Sequence, residues 1–275
     1  MNTGSMTINK DARSELQNKK YTRISANEFS VSPQLAAARQ RLWMDWESLK
    51  QDNYLKDNAR FRLRRFSYIY FLPATGEIVP FPLMPYFQSS DLNSYAGGIQ
   101  REFAPLLDST LTNKFLHELI RVNFRQFPVN MKKAQQPWKL DVHQVRVVAT
   151  PDIAGLPTPE GIHHDENDFV CIHLANRENA MGGVNGIYDN NRNLLENCTL
   201  HQPMDSIIVW DPEVMHGVSP IHPQNPNERA VRDILLIGYS HEPGLERPEP
   251  SLGHAVNHFS KNRPEPSQLK TADII

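Results

Sequence analysis

Apolar residues in the first half of the chain recur at helical spacing in two segments, 33–50 and 113–127. In both segments they stand mostly three or four positions apart, which predicts one buried face on each helix. Two runs between these helices are typical of strands, at 61–71 and 78–87, and a turn at 74–76 joins them. Three prolines interrupt the second run, so we expect an edge or irregular strand there.

The pattern changes after Trp138, where short strand-like runs alternate with turns rich in Gly, Pro and Asn. This alternation favours an antiparallel β barrel or sandwich over βαβ units. The predicted strands are 140–149, 168–174, 183–188, 206–210 and 233–240.

The same pattern predicts three parts of the chain. Residues 1–24 are polar and are expected to form a flexible N-terminal arm. Residues 25–243 are expected to form one domain, with its β core at about 138–240. Residues 244–275 form a polar, Pro-containing tail, which we expect to be surface-bound or disordered.

Composition narrows the class of protein. With 275 residues, 39% of them hydrophobic, the chain can bury one substantial core. The formal net charge is -2 and there is no basic stripe, so nucleic acid is not an expected partner. No apolar run is long enough to span a bilayer. The two cysteines give no disulfide framework, and with no signal-peptide pattern at the start we expect a cytoplasmic protein.

Six of the eleven histidines lie between positions 163 and 222, which makes this stretch the place to look for a metal site. His163 and Asp165 form a His-x-Asp pair, and on an extended backbone both side chains point the same way while His164 faces away. His216 follows a hydrophobic strand and is the best candidate for a third ligand. The alternative is that these histidines are hydrogen-bonded loop residues.

Two imidazoles and one carboxylate leave open coordination positions on Fe(II), enough for a bidentate keto acid and O2. Zinc also accepts this donor set with an open site, so both metals remain candidates. The helical His-Glu-x-x-His pattern of zinc hydrolases is not matched.

A dicarboxylic keto acid needs a cation for its distal carboxylate, and Arg binds carboxylates in bidentate fashion. Arg232 opens an apolar strand face shortly after His216, since alternation places it with Ile234 and Leu236. We therefore predict that Arg232 holds this carboxylate. Arg229 is the alternative, and either arginine could instead lie in solvent at the strand end.

Gln144 and Arg146 share one strand face. If that face points into the barrel, Arg146 could hold a substrate carboxylate and Gln144 an ammonium group; otherwise Arg146 forms a structural ion pair. Asn176, in a polar loop, and Tyr188 are further candidates for substrate binding. Their alternatives are a turn residue and a core aromatic residue with a polar tip.

Several motifs together resemble those of the bacterial 2-oxoglutarate/Fe(II) dioxygenases typified by L-isoleucine dioxygenase. They are 142–146, 157–165, 182–189, 216–218 and 232–233, with a further similar stretch from Tyr86 to Arg101. The resemblance implies a mainly β fold, a double-stranded β-helix (jelly roll) core with flanking helices. It also implies Fe(II) on His163, Asp165 and His216, and 2-oxoglutarate on Arg232. Glu166 departs from the pattern, where Gly is expected.

The resemblance further implies that the enzyme uses O2 and 2-oxoglutarate to hydroxylate a free L-amino acid such as isoleucine, leucine or methionine on its side chain. One rival is a hydroxylase of a peptide-bound or carrier-bound amino acid. Another is a jelly-roll protein that binds a small molecule without turnover. The oligomeric state is not predicted.

Overall fold

The structure, a computed structural model, describes residues 4–90, 95 and 97–249. The helices in this part of the chain are α1 (Ala12–Lys19), α2 (Pro33–Met44), α3 (Asp108–Leu111), α4 (Lys114–Arg125) and α5 (Met131–Ala134). The strands are β1 (Met6–Ile8), β2 (Tyr21–Ile24), β3 (Phe29–Val31), β4 (Lys50–Gln51), β5 (Arg62–Leu72), β6 (Glu77–Pro80), β7 (Trp138–Ala149), β8 (Phe169–Glu178), β9 (Ala180–Gly182), β10 (Val184–Tyr188), β11 (Leu194–Thr199), β12 (Ser206–Trp210), β13 (Met215–Val218), β14 (Ile221–Pro223) and β15 (Ala230–His241).

Two antiparallel sheets form the core. The larger sheet has the order β2-β12-β8-β15-β7-β5-β4, with β6 paired to β5, and the smaller has the order β11-β10-β13. The pairing of β7 with β15 extends over twelve residue pairs, from Ala230 opposite Ala149 to His241 opposite Trp138. This long ladder sets the register of the sheet centre. The prediction of a mainly β, antiparallel core with flanking helices is confirmed.

Alternation along the central strands divides the interior into two layers. On β7, Trp138, Leu140 and Val142 point towards the helices. The opposite face of the large sheet packs against the small sheet through an apolar cluster that includes Ile172 and Ile234. Because side chains point to opposite faces every second residue, one strand serves both the helix layer and the space between the sheets.

Helix α4 shows how the helix layer is fixed to the large sheet. The side chain of Asn113 accepts hydrogen bonds from the backbone N–H groups of Phe115 and Leu116, which caps the first turn. The ring of Phe124 then packs edge-on against Trp138 of β7, with 5.1 Å between ring centroids. None of the helices between residues 4 and 249 has the length and apolarity needed to cross a lipid bilayer.

The N-terminal segment differs from its prediction as a flexible arm. Strand β2 pairs with β12 at the edge of the large sheet, and Ile24 and Leu16 are fully buried. The segment was mistaken for an arm because its apolar residues are few and its strand is stabilised by pairing with residues about 185 positions away. Beyond residue 249, the predicted C-terminal tail lies outside the described residues.

The burial of Ile24 leads to the first prediction. Ile24→Ala removes a fully buried side chain and should lower the free energy of unfolding by about 2–5 kcal/mol, measured by urea denaturation. Arg23→Ala changes the exposed neighbour on the same strand and should stay within about 0.5 kcal/mol of the native protein. Equal, small effects of both changes would restore the prediction of a flexible arm.

Candidate active site

Three side chains with metal-binding atoms meet at one end of the space between the sheets. Nε2 of His163 lies 3.3 Å from Oδ1 of Asp165, and Nε2 of His216 lies 3.2 Å from Oδ2 of the same carboxylate. One ligand atom from each residue falls within 4.8 Å of the other two. The sequence predicted this trio, and the structure brings it together.

The backbone holds the two histidines opposite each other. His163 and His216 exchange N–H···O=C bonds of 2.9 and 3.0 Å, and their rings lie 4.5 Å apart. Nδ1 of His163 lies 2.9 Å from the carbonyl oxygen of Gly161, to which it donates. That bond directs Nε2 towards Asp165, as in metal sites where the second ring nitrogen is fixed by a backbone carbonyl.

The charges within the trio suit a cation. Burial opposes ionisation of Asp165, but His216 and His163 hold the pKa of its carboxyl well below 3.8. Burial alone would lower the pKa of His163, but the hydrogen bond and charge of Asp165 raise it to about 10. A metal ion at Nε2 would replace that proton. Oδ2 of Asp165 is buried without a hydrogen-bond partner in the described structure, so the donor set fits a divalent metal.

Asp211 fixes the loop that carries Asp165. Its buried carboxylate accepts backbone N–H bonds from Asp165 at 2.9 Å and from Asn167 at 3.3 Å. Burial and the charge of Asp165 raise the pKa of Asp211 to about 6. The ring of His164 bonds to the backbone oxygen of Asp211 and stays outside the trio, as predicted from alternation.

Glu166, the residue that departs from the family pattern, adopts a left-handed backbone conformation with φ of 67°. Glycine would accept this conformation freely, which explains the expectation of Gly at this position. The Glu166 carboxylate accepts hydrogen bonds from the backbone N–H and the hydroxyl of Ser89. It therefore links the loop of Asp165 to the segment that contains Tyr86 and Gln88.

The trio opens into a cavity of about 830 Å³, its mouth included. Part of the wall is apolar and is formed by Val145, Val147, Ile172, Val218, Ile234 and Leu236. This wall comes from β7, β8, β13 and β15, so both sheets contribute to the cavity.

Arg232 lines the same cavity and is 3% exposed. Its Nη2 donates to Oδ1 of Asn185 at 3.1 Å, and the amide of Asn185 is oriented by its own bond to the Cys198 carbonyl. Burial and the nearby charge of Arg177 lower the pKa of Arg232 to about 10. No carboxylate in the described part of the chain pairs with Arg232, and its Nε has no partner.

The predicted substrate residues lie elsewhere. On β7, His143 and Val145 line the cavity. Gln144 and Arg146 alternate with them, so they lie on the other face of the strand and face the helix layer. Arg146 donates to both oxygens of Asp233, at 2.8 and 2.9 Å, so its alternative interpretation as a structural ion pair holds.

Asn176 and Tyr188 are also separate from the cavity. Asn176 stands opposite Asp233 in the pairing of β15 with β8 and hydrogen-bonds to that carboxylate. Tyr188 lines a second, shallower groove beside Leu194 on the small sheet. None of these four residues lines the cavity. For Gln144 and Arg146 the reason is that a strand pattern does not say which face is the inner one.

Several cavity residues were missed from the sequence: Arg62, Arg64, Tyr86, Arg101, His143 and Glu160. The sequence contained one indication of this arginine cluster. Arg62, Arg64 and Phe66 alternate on a predicted strand and therefore share one face. The pairing that brings this strand beside β7 was not visible in the local pattern. The motif resemblance between Tyr86 and Arg101 was a second signal without an assigned role.

Comparisons with known proteins identify the class. Residues 44–238 match the profile of the family described as 2OG-Fe dioxygenase, and the chain belongs to that family. It is therefore a dioxygenase that uses Fe(II), 2-oxoglutarate and O2. The family assignment decides between iron and zinc, which the donor set alone left open.

Two individual members of known activity are similar in sequence to this chain. The chain is 28% identical to L-isoleucine-4-hydroxylase of Bacillus thuringiensis, over 83% of this chain and 93% of that protein. It is 26% identical to 3(1)-hydroxy-L-isoleucine 4-dioxygenase of Pantoea ananatis, over 80% and 87% of the two chains.

Solved structures show the same jelly-roll fold. That of IDO from Bacillus thuringiensis gives a TM-score of 0.69 at 23% identity, over 84% of this chain and 95% of that one. A bsmA homologue from Methylobium petroleophilum PM1 gives a TM-score of 0.72 at 24% identity, over 86% and 94% of the two chains.

The position of Arg146 leads to the second prediction. Arg146→Leu leaves Asp233 buried without its partner and should lower the free energy of unfolding by about 3–5 kcal/mol, measured by urea denaturation. The KM for 2-oxoglutarate should stay close to the native value, since the cavity wall is unchanged. A stable variant that has lost only substrate affinity would contradict this placement and support the substrate role. Arg60→Leu, an exposed change, is the matched control for stability.

Proposed function

We propose that this enzyme hydroxylates the side chain of a free aliphatic L-amino acid of the isoleucine, leucine and methionine class, and converts 2-oxoglutarate to succinate and CO2. One observation carries the proposal. The same cavity joins a His-Asp-His trio, an apolar wall and a buried guanidinium that pairs with no carboxylate of residues 4–90, 95 and 97–249. The names of two relatives, which refer to L-isoleucine and its hydroxy derivative, support this substrate class.

His163, Asp165 and His216 would hold Fe(II) on one side, through two imidazole nitrogens and one carboxylate oxygen. Bound iron, with 2-oxoglutarate and O2, supplies the oxidising power needed to attack an unactivated C–H bond. Asp211 contributes by fixing the loop of Asp165 through two backbone N–H bonds. The protein thereby presents a preorganised set of donors rather than recruiting them from mobile loops.

Arg232 would bind the distal carboxylate of 2-oxoglutarate. Its guanidinium is fixed by Asn185 and has an unpartnered Nε, so donors remain for a bidentate contact. Because the site is buried, a charged hydrogen bond there is stronger than one in water. Arg232 thus selects a dicarboxylic keto acid over a monocarboxylic one.

The apolar wall would exclude water and receive the aliphatic side chain. Valine, isoleucine and leucine side chains make no hydrogen bonds, so they favour methyl and methylene groups over polar substituents. One methylene changes affinity by only about 1–3 kcal/mol, so related aliphatic amino acids should compete for the same wall. The protein's part in the chemistry is then to hold one C–H bond in a fixed orientation.

The test is a screen of free amino acids with the native protein, Fe(II), ascorbate and 2-oxoglutarate. Mass spectrometry should show a gain of one oxygen on an aliphatic amino acid, matched by succinate. Hydroxylation of carrier-bound or peptide-bound amino acids alone would overturn the proposed substrate. Binding without substrate-dependent succinate would overturn the proposed activity.

The assignment of ligands gives the third prediction. His216→Ala should abolish turnover and weaken Fe(II) binding by more than about a hundredfold, since even indirect partners of metal ligands change affinity by about 10–100-fold. His164→Ala is the matched control, because its ring bonds to a backbone oxygen outside the trio. Metal titration of the purified proteins checks both. Equal loss in the two variants would mean that the ligand assignment is wrong.

The role of Arg232 gives the fourth prediction. Arg232→Leu removes a buried charged donor, which typically costs about 2–5 kcal/mol, so the KM for 2-oxoglutarate should rise by roughly thirtyfold or more. Fe(II) affinity should persist, because the trio is intact. Arg229→Leu, at an exposed position before the same strand, should behave like the native protein. A large rise in KM for Arg229→Leu with none for Arg232→Leu would exchange the two roles.

A further inference from the structure

A second buried guanidinium in the cavity, that of Arg101, forms no ion pair with a carboxylate of the described residues. Arg101 is 2% exposed, and its Nη2 donates to the neutral Oε1 of Gln88 at 2.7 Å. Its Nε has no acceptor, and no carboxylate in the described ranges forms an ion pair with it. Burying a cation without an anion is costly. This side chain is therefore suited to an anion that arrives with a ligand.

The position of Arg101 is fixed by the backbone. Arg101 and Tyr86 exchange two N–H···O=C bonds of 2.8 Å, and the guanidinium lies over the Tyr86 ring at 4.8 Å from its centre. Burial lowers the pKa of Arg101, an effect partly opposed by nearby acidic groups. Its guanidinium is thus held in place before any ligand binds.

Arg64 adds a second cation beside Arg101. The two guanidinium carbons lie 4.3 and 5.8 Å from the centre of the same Phe103 ring. Arg64 bonds to Nδ1 of His143 at 2.9 Å, and burial together with the charge of Arg64 holds the pKa of His143 well below 6.5. The lowered pKa favours the neutral ring of His143, which accepts the hydrogen bond of Arg64 and adds no positive charge to the cavity.

The charges of the cavity wall do not balance. Arg62 and Arg64 share the buried carboxylate of Asp52, at 2.8 and 3.6 Å. The cavity is lined by four arginines (Arg62, Arg64, Arg101 and Arg232) and, among the described residues, by two carboxylates (Glu160 and Asp165). With Asp52 counted, one positive charge remains. Fe(II) and the 2-oxoglutarate dianion cancel each other, so this excess of positive charge stays in the cavity and favours a ligand that places a carboxylate group beside the arginines.

This anion site is distinct from the site at Arg232. Arg64 lies on β5, and β5 is separated from β15, which carries Arg232, by β7. Adjacent strands are about 4.8 Å apart, so the two strands lie roughly 10 Å from each other. The cavity therefore has two cationic ends, one for each of two different carboxylates.

Glu160 supplies the opposite charge within the same cavity. Its side chain is 12% exposed, and its Oε1 lies 3.5 Å from Nε2 of His163. The carboxylate receives no hydrogen bond from the described residues. An ammonium group bound there would gain a charged acceptor close to the metal-binding trio.

We propose that Arg101, with Arg64 beside it, binds the α-carboxylate of the amino acid substrate and that Glu160 binds its α-ammonium group. This inference rests on the proposed function, since it assigns the residues that recognise the free amino acid. With this assignment, the cavity favours a free amino acid over a carrier-bound one. An amino acid esterified to a carrier lacks the carboxylate that Arg101 requires.

Ligand analogues that lack one charge test each contact. The probes are L-isoleucine, L-isoleucinamide and 3-methylpentanoate, titrated by calorimetry without O2 into protein loaded with Fe(II) and 2-oxoglutarate. Arg101→Leu should weaken binding of L-isoleucine and 3-methylpentanoate by roughly thirtyfold or more and change isoleucinamide little. Glu160→Gln should weaken L-isoleucine and isoleucinamide and leave 3-methylpentanoate unchanged. Arg60→Leu, an exposed change, should match the native protein for all three probes.

A merely structural role would give a different result. If Arg101→Leu weakened the acid and the amide equally, or neither, the inference would be overturned. Arg101→Lys keeps the charge without the bidentate geometry and should show a smaller loss for the acid, which provides a second variant if Arg101→Leu does not fold.

The two proposals fail in different ways. A folded Arg101→Leu protein should still bind Fe(II), because His163, Asp165 and His216 are intact. If the native enzyme hydroxylates free amino acids while Arg101→Leu binds them normally, only the assignment of Arg101 is wrong. If the native enzyme accepts only carrier-bound substrates, the proposed function is wrong and this inference falls with it.

Discussion

The alternation of side chains along β5, β7 and β15 is the constraint on which the site depends. Neighbouring residues on one strand have unrelated tasks: Arg232 faces the cavity, while Asp233 faces the helices and pairs with Arg146. A slip of one residue would exchange the two sets, burying charges against apolar helices and removing the arginines from the cavity. The twelve-residue ladder between β7 and β15 prevents such a slip.

The same constraint explains what the sequence could reveal. Alternation correctly grouped His163 with Asp165 and set His164 apart. That prediction needed only the relative orientation of side chains within one short segment. It could not say whether the face of Arg146 or that of Val145 is the inner one, since that depends on what packs against the strand. Likewise β2 and β5 take their roles from partners distant in sequence. Strands β7, β8, β10, β12 and β15 were predictable because their turns are marked by Gly, Pro and Asn, whereas the shorter β9, β11, β13 and β14 were not predicted.

Without ligands, the cavity contains buried positive charges that are electrostatically unfavourable. Arg232 and Arg101 are both buried and lack carboxylate partners within the described residues. A ligand that binds only the folded state stabilises it by mass action. The buried arginines thus lower the stability of the ligand-free protein, and anions that bind to them raise it. Such a relation between stability and function is common at binding sites.

The bond between Glu166 and Ser89 joins two loops that would otherwise respond to different ligands. Glu166 follows Asp165 directly, and Ser89 follows Gln88, which bonds to Arg101. Because Glu166 adjoins Asp165 and Ser89 adjoins Gln88, movement of either loop is resisted by the other. Glu at this left-handed position, where Gly would fit more easily, thus supplies a contact between the loops that Gly could not make.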